Sequence, residues 1–186
     1  MRFVYLVRHC KAIGQAPDDP LTPEGEAQAV ALGEFLAGRN VDRIVCSPYL
    51  RAIQSAQPLA ERQGIAVETD DRLVERVLCA GGNPEWLRML AESFNDPDLC
   101  YEGGESGRTA ADRGAAVLAE VRAHPTARAT AIVTHGNLLA LMLQTLDPAF
   151  GFEQWQMMTN PDVFRVSFPS GRWERVWHLA RYGGPS

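Results

Sequence analysis

Short apolar runs alternate with longer stretches of helical period along this 186-residue chain, and that alternation restricts its fold more than any other feature. Residues 3–7, 43–46, 65–69 and 129–134 are short, apolar and rich in β-branched or aromatic side chains, the composition of strands covered on both faces. The stretch DPLTPEGEAQA leads into a helix, with Thr22 as cap, Pro23 at the first helical position and Gly38 as the stop. Ala27, Val30, Ala31 and Phe35 supply its expected apolar stripe. SPYLRAIQSAQPLA repeats the device, with Ser47 as cap and Pro48 at the first helical position. Ala110, Gly114, Val117, Leu118 and Val121 recur at helical period behind GGESG, where Ser106 is placed to cap and Glu105 to orient. HGNLLALMLQTL reads as a short apolar helix.

This pattern predicts an α/β fold of three layers, α/β/α, with a mostly parallel central sheet. At the end of the chain FRVSF and RWERVWH alternate around PSG, which predicts a C-terminal antiparallel hairpin. A hydrophobic content of 46% and this length suit a single domain over residues 1–186. Residues 76–103, with scattered Gly, Pro and Asn, read as a small insertion over one face.

The net charge of −5 argues against a nucleic-acid or anionic-membrane surface, which needs a basic stripe. A small anionic substrate remains compatible, because a few cationic groups set the potential inside a pocket. The four cysteines lack CxxC spacing and read as reduced thiols of a cytoplasmic protein. No signal-peptide pattern and no apolar run of about 18 residues is present, so no membrane span is expected. Four histidines without an HxxxH pair give no metal-ligand spacing; His124 falls at a helix end and His178 in the hairpin. The sequence leaves the oligomeric state open.

Ligands of open α/β sheets sit at the carboxyl ends of the strands. Arg8 and His9 follow one strand, Ser47 and Arg51 another, and His135 a third. If those strands are neighbours, two arginines and two histidines converge. Arg51, on the first turn of a helix, opposes the macrodipole unless an anion lies nearby, and helix N-termini bind phosphate readily.

These segments resemble the histidine phosphatases, the phosphoglycerate mutase-like superfamily. LVRHCKA matches the Arg-His-Gly segment, LTPEGEAQA the loop-to-helix segment, CSPYLRAIQSA the Ser-Pro-x-x-Arg-Ala motif, RLVER the acid-bearing segment and VTHGN the second histidine. The resemblance implies the phosphoglycerate mutase-like fold, with the insertion lying over the active site. It implies His9 as the nucleophile that takes the phosphoryl group, Glu75 as proton donor and then base, and His135 as a catalytic partner. Arg8, Arg51 and His135 are implied to bind phosphate oxygens. Gln15 stands where many relatives carry an asparagine that contacts phosphate, and Asn137 is expected to cap its helix while donating to the pocket. Asp70 and Asp71 are rival acids close by.

Cys10 replaces the glycine that follows the nucleophile in the family. It reads either as a small buried filler or as a thiol acidified by neighbouring cations. The implied activity is metal-independent hydrolysis of a small phosphomonoester through a phosphohistidine, with no cofactor. Phosphoglycerate mutase and protein phosphohistidine phosphatase are the alternatives; mutases of this family are longer, which favours the phosphatase. Arg76, Arg88, Arg108 and Lys11 read either as surface charges or as groups that recognise a second anionic group of the substrate, and Trp86 and Trp155 as either an apolar wall or core.

Overall fold

A computed structural model describes residues 2–177. Along the chain run β1 (Arg2–Arg8), α1 (Pro23–Ala37), β2 (Arg43–Cys46), α2 (Leu50–Gln63), β3 (Val67–Thr69), a 3-10 turn (Asp71–Leu73) and α3 (Trp86–Asn95). There follow α4 (Gly107–Ala123), β4 (Ala129–Thr134), α5 (Gly136–Leu146), α6 (Phe152–Gln156), β5 (Asp162–Phe168) and β6 (Trp173–Arg175). The sheet order is β3-β2-β4-β1-β5-β6; β1 to β4 run parallel, and β5 and β6 form the antiparallel hairpin. His178, at the end of the expected hairpin strand, lies outside the described residues.

Side chains alternate across the pleat, and the two faces of the sheet build two separate cores. Val4, Leu6, Val45, Ile132, Phe164 and Val166 face α4, α5 and the residues around α3. Tyr5, Val7, Ile44, Cys46, Ala131 and Val133 face α1 and α2. The expected three layers are therefore present. Gly136 through Leu143 of α5 are buried all round, as a helix apolar on every side must be.

Several local expectations shift. Thr22 caps α1, accepting from Gly25 N–H at 3.0 Å, as read. Its buried face, however, is Gly25, Ala29, Leu32, Gly33, Phe35 and Leu36, while Val30 is half exposed. The helix is rotated from the expected stripe because Gly33 brings its backbone against α2; a Cβ there would lie 3.0 Å from Leu59 N and 3.1 Å from Pro58. Helix α2 begins two residues later than expected, with Tyr49 rather than Ser47 at its N-cap. Residues 76–103 hold a helix, α3, that periodicity did not single out. Ser106 caps α4 as read, accepting from Thr109 N–H.

The register sets the site. β1 and β4 pair so that Arg8 stands opposite Thr134, and β2 and β4 pair so that Cys46 stands opposite Val133. His9 N–H donates to Thr134 O and Ser47 N–H to Val133 O, both at 2.9 Å. Three neighbouring strands therefore end within a residue of one another and deliver His9, Ser47 and His135 to one place.

The close crossing of α1 on α2 yields a stability prediction. Gly33→Leu, which introduces a better helix former, is nonetheless expected to cost roughly 1–3 kcal/mol by overpacking. Urea unfolding of the two proteins measures it, and an unchanged midpoint would show that the helices can separate freely.

Candidate active site

His9 is 6% exposed and is placed by β1. Its Nδ1 lies 2.6 Å from Cys10 O, and a carbonyl only accepts, so Nδ1 carries the proton. Arg51 Nε–H donates to His9 Nε2 at 3.3 Å, so that nitrogen holds its lone pair. The backbone carbonyl has thus selected the tautomer in which Nε2 is unprotonated. Burial, opposed by the Cys10 carbonyl and reinforced by the charges of Arg51 and Arg8, lowers the His9 pKa to about 3. The imidazole is neutral at pH 7. Asn160 Nδ2 donates to His9 O at 2.8 Å and fixes the backbone; its position after α6 gave no signal in the sequence.

His135 is fully buried, with its ring centroid 5.1 Å from that of His9. Ser47 Oγ, which accepts from Tyr49 N–H at 3.3 Å, meets His135 Nε2 at 2.8 Å. Ser47, read as a helix cap, instead orients this histidine. His135 Nδ1 is buried without a partner. Desolvation first, then the positive neighbours, push its pKa well below the usual value.

Arg51 is 1% exposed on the first turn of α2, as expected. Its Nη1 donates to Ala16 O at 2.7 Å, and its guanidinium lies 5.0 Å from the Tyr49 ring centre. Arg8 donates to Met158 O at 3.1 Å, while its Nε is buried and unpaired. Neither arginine has a carboxylate within ion-pair distance among the described residues. Arg8 lies across Gly136, where a Cβ would stand 3.0 Å from its Nε.

Glu75 accepts from three backbone N–H groups, those of Asn137 at 3.0 Å, Leu138 at 2.9 Å and Arg76 at 2.9 Å. The carboxylate therefore occupies the N-terminus of α5, the role expected of Asn137. Asn137 does not cap; it is 7% exposed, and both polar atoms of its side chain are buried without a partner. Of the rival acids, Asp70 is committed to Arg72, which holds its carboxyl below the ordinary value, and caps the 3-10 turn. Arg113 donates to Glu105 at 2.8 and 2.9 Å and also to Val74 O at 2.8 Å, bracing the backbone that carries Glu75. Glu105 orients Arg113, and the contact of Arg113 with Val74 O had no sequence signal, since the two lie 39 residues apart in the chain.

A cavity of about 340 Å³ opens beside these strand ends. Its lining includes Arg8, Gln15, Glu75 and Asn137 of the expected residues, together with Arg76, Leu78, Trp86, Leu90 and Trp155. His9, Arg51 and His135 form the adjoining buried cluster and do not line it. Gln15 is exposed at the rim. Of the two readings of Arg76, the surface charge falls: it is 5% exposed. Lys11, Arg88 and Arg108 do form surface ion pairs, with Glu24, Glu92 and Asp98. Cys10 is fully buried, and burial pushes its thiol up to about 12, which removes the acidified-thiol reading and leaves the filler.

Comparison with known proteins identifies the family. The family model of the histidine phosphatase superfamily (branch 1) matches residues 4–179. A probable phosphoglycerate mutase, GpmB, of Salmonella choleraesuis is 28% identical over 191 aligned positions, spanning 91% of this chain and 86% of that protein. A mycobacterial glucosyl-3-phosphoglycerate phosphatase solved with VO3 superposes with a TM-score of 0.77 at 29% identity, covering 95% of this chain and 98% of the other. A phosphoserine phosphatase of Entamoeba histolytica shares the fold, with a TM-score of 0.73 at 20% identity over 95% of this chain and 96% of that one.

The site makes two predictions. Gly136→Ala is expected to weaken binding of inorganic phosphate roughly tenfold by displacing Arg8, since a hydrogen bond to a charged group is worth about 1.5–3 kcal/mol. Titration calorimetry measures it, and unchanged affinity would show that Arg8 takes no part in anion binding. The second concerns pH. An unfolded imidazole takes a proton near pH 6.5, whereas His9 in the fold does so only at about 3. Between those values the unfolded state binds more protons, so stability falls as pH drops from 6.5, by up to ~1.4 kcal/mol per pH unit for each such histidine. His9→Gln is expected to flatten the fall seen in denaturant unfolding at pH 7, 6 and 5; an equal slope in both proteins would sink the neutral-imidazole assignment.

Proposed function

Because the chain belongs to branch 1 of the histidine phosphatase superfamily and is a phosphomonoesterase hydrolase of that type, we propose that it hydrolyses a small phosphomonoester without a metal ion, through a phosphohistidine on His9. One observation carries the reading: a neutral imidazole with an unprotonated Nε2 lies among arginines that have no carboxylate within ion-pair distance among the described residues. A phosphate monoester is close to a dianion at neutral pH, and guanidinium groups supply fixed bidentate donors for its oxygens.

Phosphoryl transfer asks little covalent chemistry of a protein; positioning and charge dominate. In the first half-reaction the His9 Nε2 lone pair forms the N–P bond as the P–O bond to the leaving group breaks. Glu75, as the general acid, gives its proton to the departing oxygen. In the second half-reaction the Glu75 carboxylate takes a proton from water, the water oxygen bonds to phosphorus, and the N–P bond breaks. The products are the alcohol and inorganic phosphate, and His9 is restored as the neutral imidazole. Arg8 and Arg51 balance the phosphoryl charge, and the long 3.3 Å contact of Arg51 with Nε2 yields as the nucleophile turns to phosphorus. The Asn137 amide supplies a further donor, as does His135 Nδ1 in the tautomer in which the Ser47 hydroxyl donates to Nε2, and Gln15 contacts substrate from the rim.

The probable mutase among its relatives favours a second reading, phosphoryl transfer back to a bound product. The chain spans 86% of that protein, so length does not separate the two. Hydrolysis of p-nitrophenyl phosphate from pH 5 to 8, with and without a chelator, tests the hydrolytic reading. We expect chelator-insensitive turnover, lost by three orders of magnitude or more in His9→Ala and by about 10²–10⁴ in Glu75→Gln. Turnover that survives in His9→Ala would refute the phosphohistidine route. Interconversion of 2- and 3-phosphoglycerate without phosphate release would favour the mutase.

A further inference from the structure

The reading above uses one end of the cavity and leaves Arg76 without a task. This guanidinium is 5% exposed and lines the cavity together with Trp155, Trp86, Leu78 and Leu90. Two of its nitrogens are held by the protein: Nε donates to Glu105 O at 2.9 Å and Nη1 to Ser93 Oγ at 2.8 Å. Ser93 Oγ passes its own proton to Leu90 O at 2.8 Å. These bonds anchor the side chain against α3 and leave Nη2 buried with no partner. No carboxylate forms an ion pair with Arg76 among the described residues, since Glu105 is taken by Arg113 and Glu75 by backbone N–H groups.

A second orphan donor lies in the same lining. Trp155 Nε1 is buried and unpaired. The Trp155 ring stacks on Phe152 with centroids 5.5 Å apart and meets Trp86 edge-on at 6.3 Å. The indole is thus positioned by its neighbours, and its N–H awaits an acceptor. A buried cation without a counter-charge costs several kcal/mol unless a ligand supplies one. An indole N–H can only donate, so the ligand atom it meets must be an acceptor.

We propose that Arg76 and Trp155 form a second subsite that reads an anionic group, such as a carboxylate, on the leaving group of the substrate. The inference rests on the phosphatase reading and names its substrate class: a phosphomonoester whose alcohol carries a negative charge and an apolar portion. Arg8 and the His9 cluster hold the phosphoryl end, Arg76 Nη2 and Trp155 Nε1 hold the far anion, and Leu78, Leu90 and Trp86 cover the carbon skeleton between. Arg76 is a specificity residue in this scheme and takes no part in the bond changes.

Binding, rather than turnover, tests it, so that failure of the phosphohistidine route does not obscure the result. The His9→Ala protein is titrated calorimetrically with two pairs of probes that differ only at the far anion: 3-phosphoglycerate against glycerol 3-phosphate, and 4-carboxyphenyl phosphate against phenyl phosphate. We expect the carboxylate member of at least one pair to bind tenfold tighter or more. Adding Arg76→Gln is expected to bring that ratio close to one. Trp155→Phe, which keeps the ring and removes the donor, is expected to lower it about threefold or more. Equal affinities within both pairs would overturn the proposal. So would an Arg76→Gln protein that loses affinity for both members of a pair in proportion, which marks a structural role. If Arg76→Gln does not fold, the probe pairs and Trp155→Phe decide the matter.

Discussion

Guanidinium charge buried without carboxylate partners is the constraint around which this molecule is organised. Arg51 is 1% exposed and Arg76 5%, and Arg8 packs its side chain over Gly136. Elsewhere arginines find acids: Arg43 with Glu68, Arg72 with Asp70 and Glu120, Arg113 with Glu105. Around the strand ends the nearby acids are engaged elsewhere: Glu75 spends its acceptor capacity on the N-terminus of α5, and Asp162, opposite Arg8 in the β1–β5 register, pairs with Arg175. Uncompensated charge in a half-enclosed site costs stability, and an anion arriving there recovers it. The fold maintains that imbalance by tying each guanidinium to backbone carbonyls, Met158 O, Ala16 O and Glu105 O, which hold direction without neutralising charge.

The same economy of partners settles the chemistry of His9. A carbonyl one residue on selects the Nδ1–H tautomer, burial keeps the ring neutral, and the cationic neighbours oppose its protonation further. The Nε2 lone pair is thereby kept unprotonated without an adjacent base. Cys10 fits this account as a small apolar neighbour whose N–H is taken by Ser55 Oγ at 2.9 Å; Ser55 in turn donates to Arg51 O. One hydroxyl thus links the backbone after the nucleophile to the helix that carries Arg51.

Much of the site was legible before any coordinates because the fold places function at strand ends, where an apolar run breaks abruptly into Arg-His, Ser-Pro or Thr-His. Those junctions need no long-range information. What escaped was of a different kind. Ser47 stands at a position that reads as a helix cap, yet its hydroxyl turns to His135 because β2 and β4 are neighbours. Asn137 has the composition of a cap, yet Glu75, about sixty residues earlier in the chain, arrives first. Arg76 looks like one charge among several in an irregular stretch, and only the packing of α3 over it removes it from water.

Local pattern was therefore enough to settle the three layers and the strands that end the site, because each depends on residue type at short spacing. The choice of tautomer, the capping of α5 by Glu75, the burial of Arg76 and the orphan donor of Trp155 depend on which distant segments come into contact. Contacts of that kind are set by the sheet order and by the path of residues 76–103, and side-chain periodicity carries no record of either.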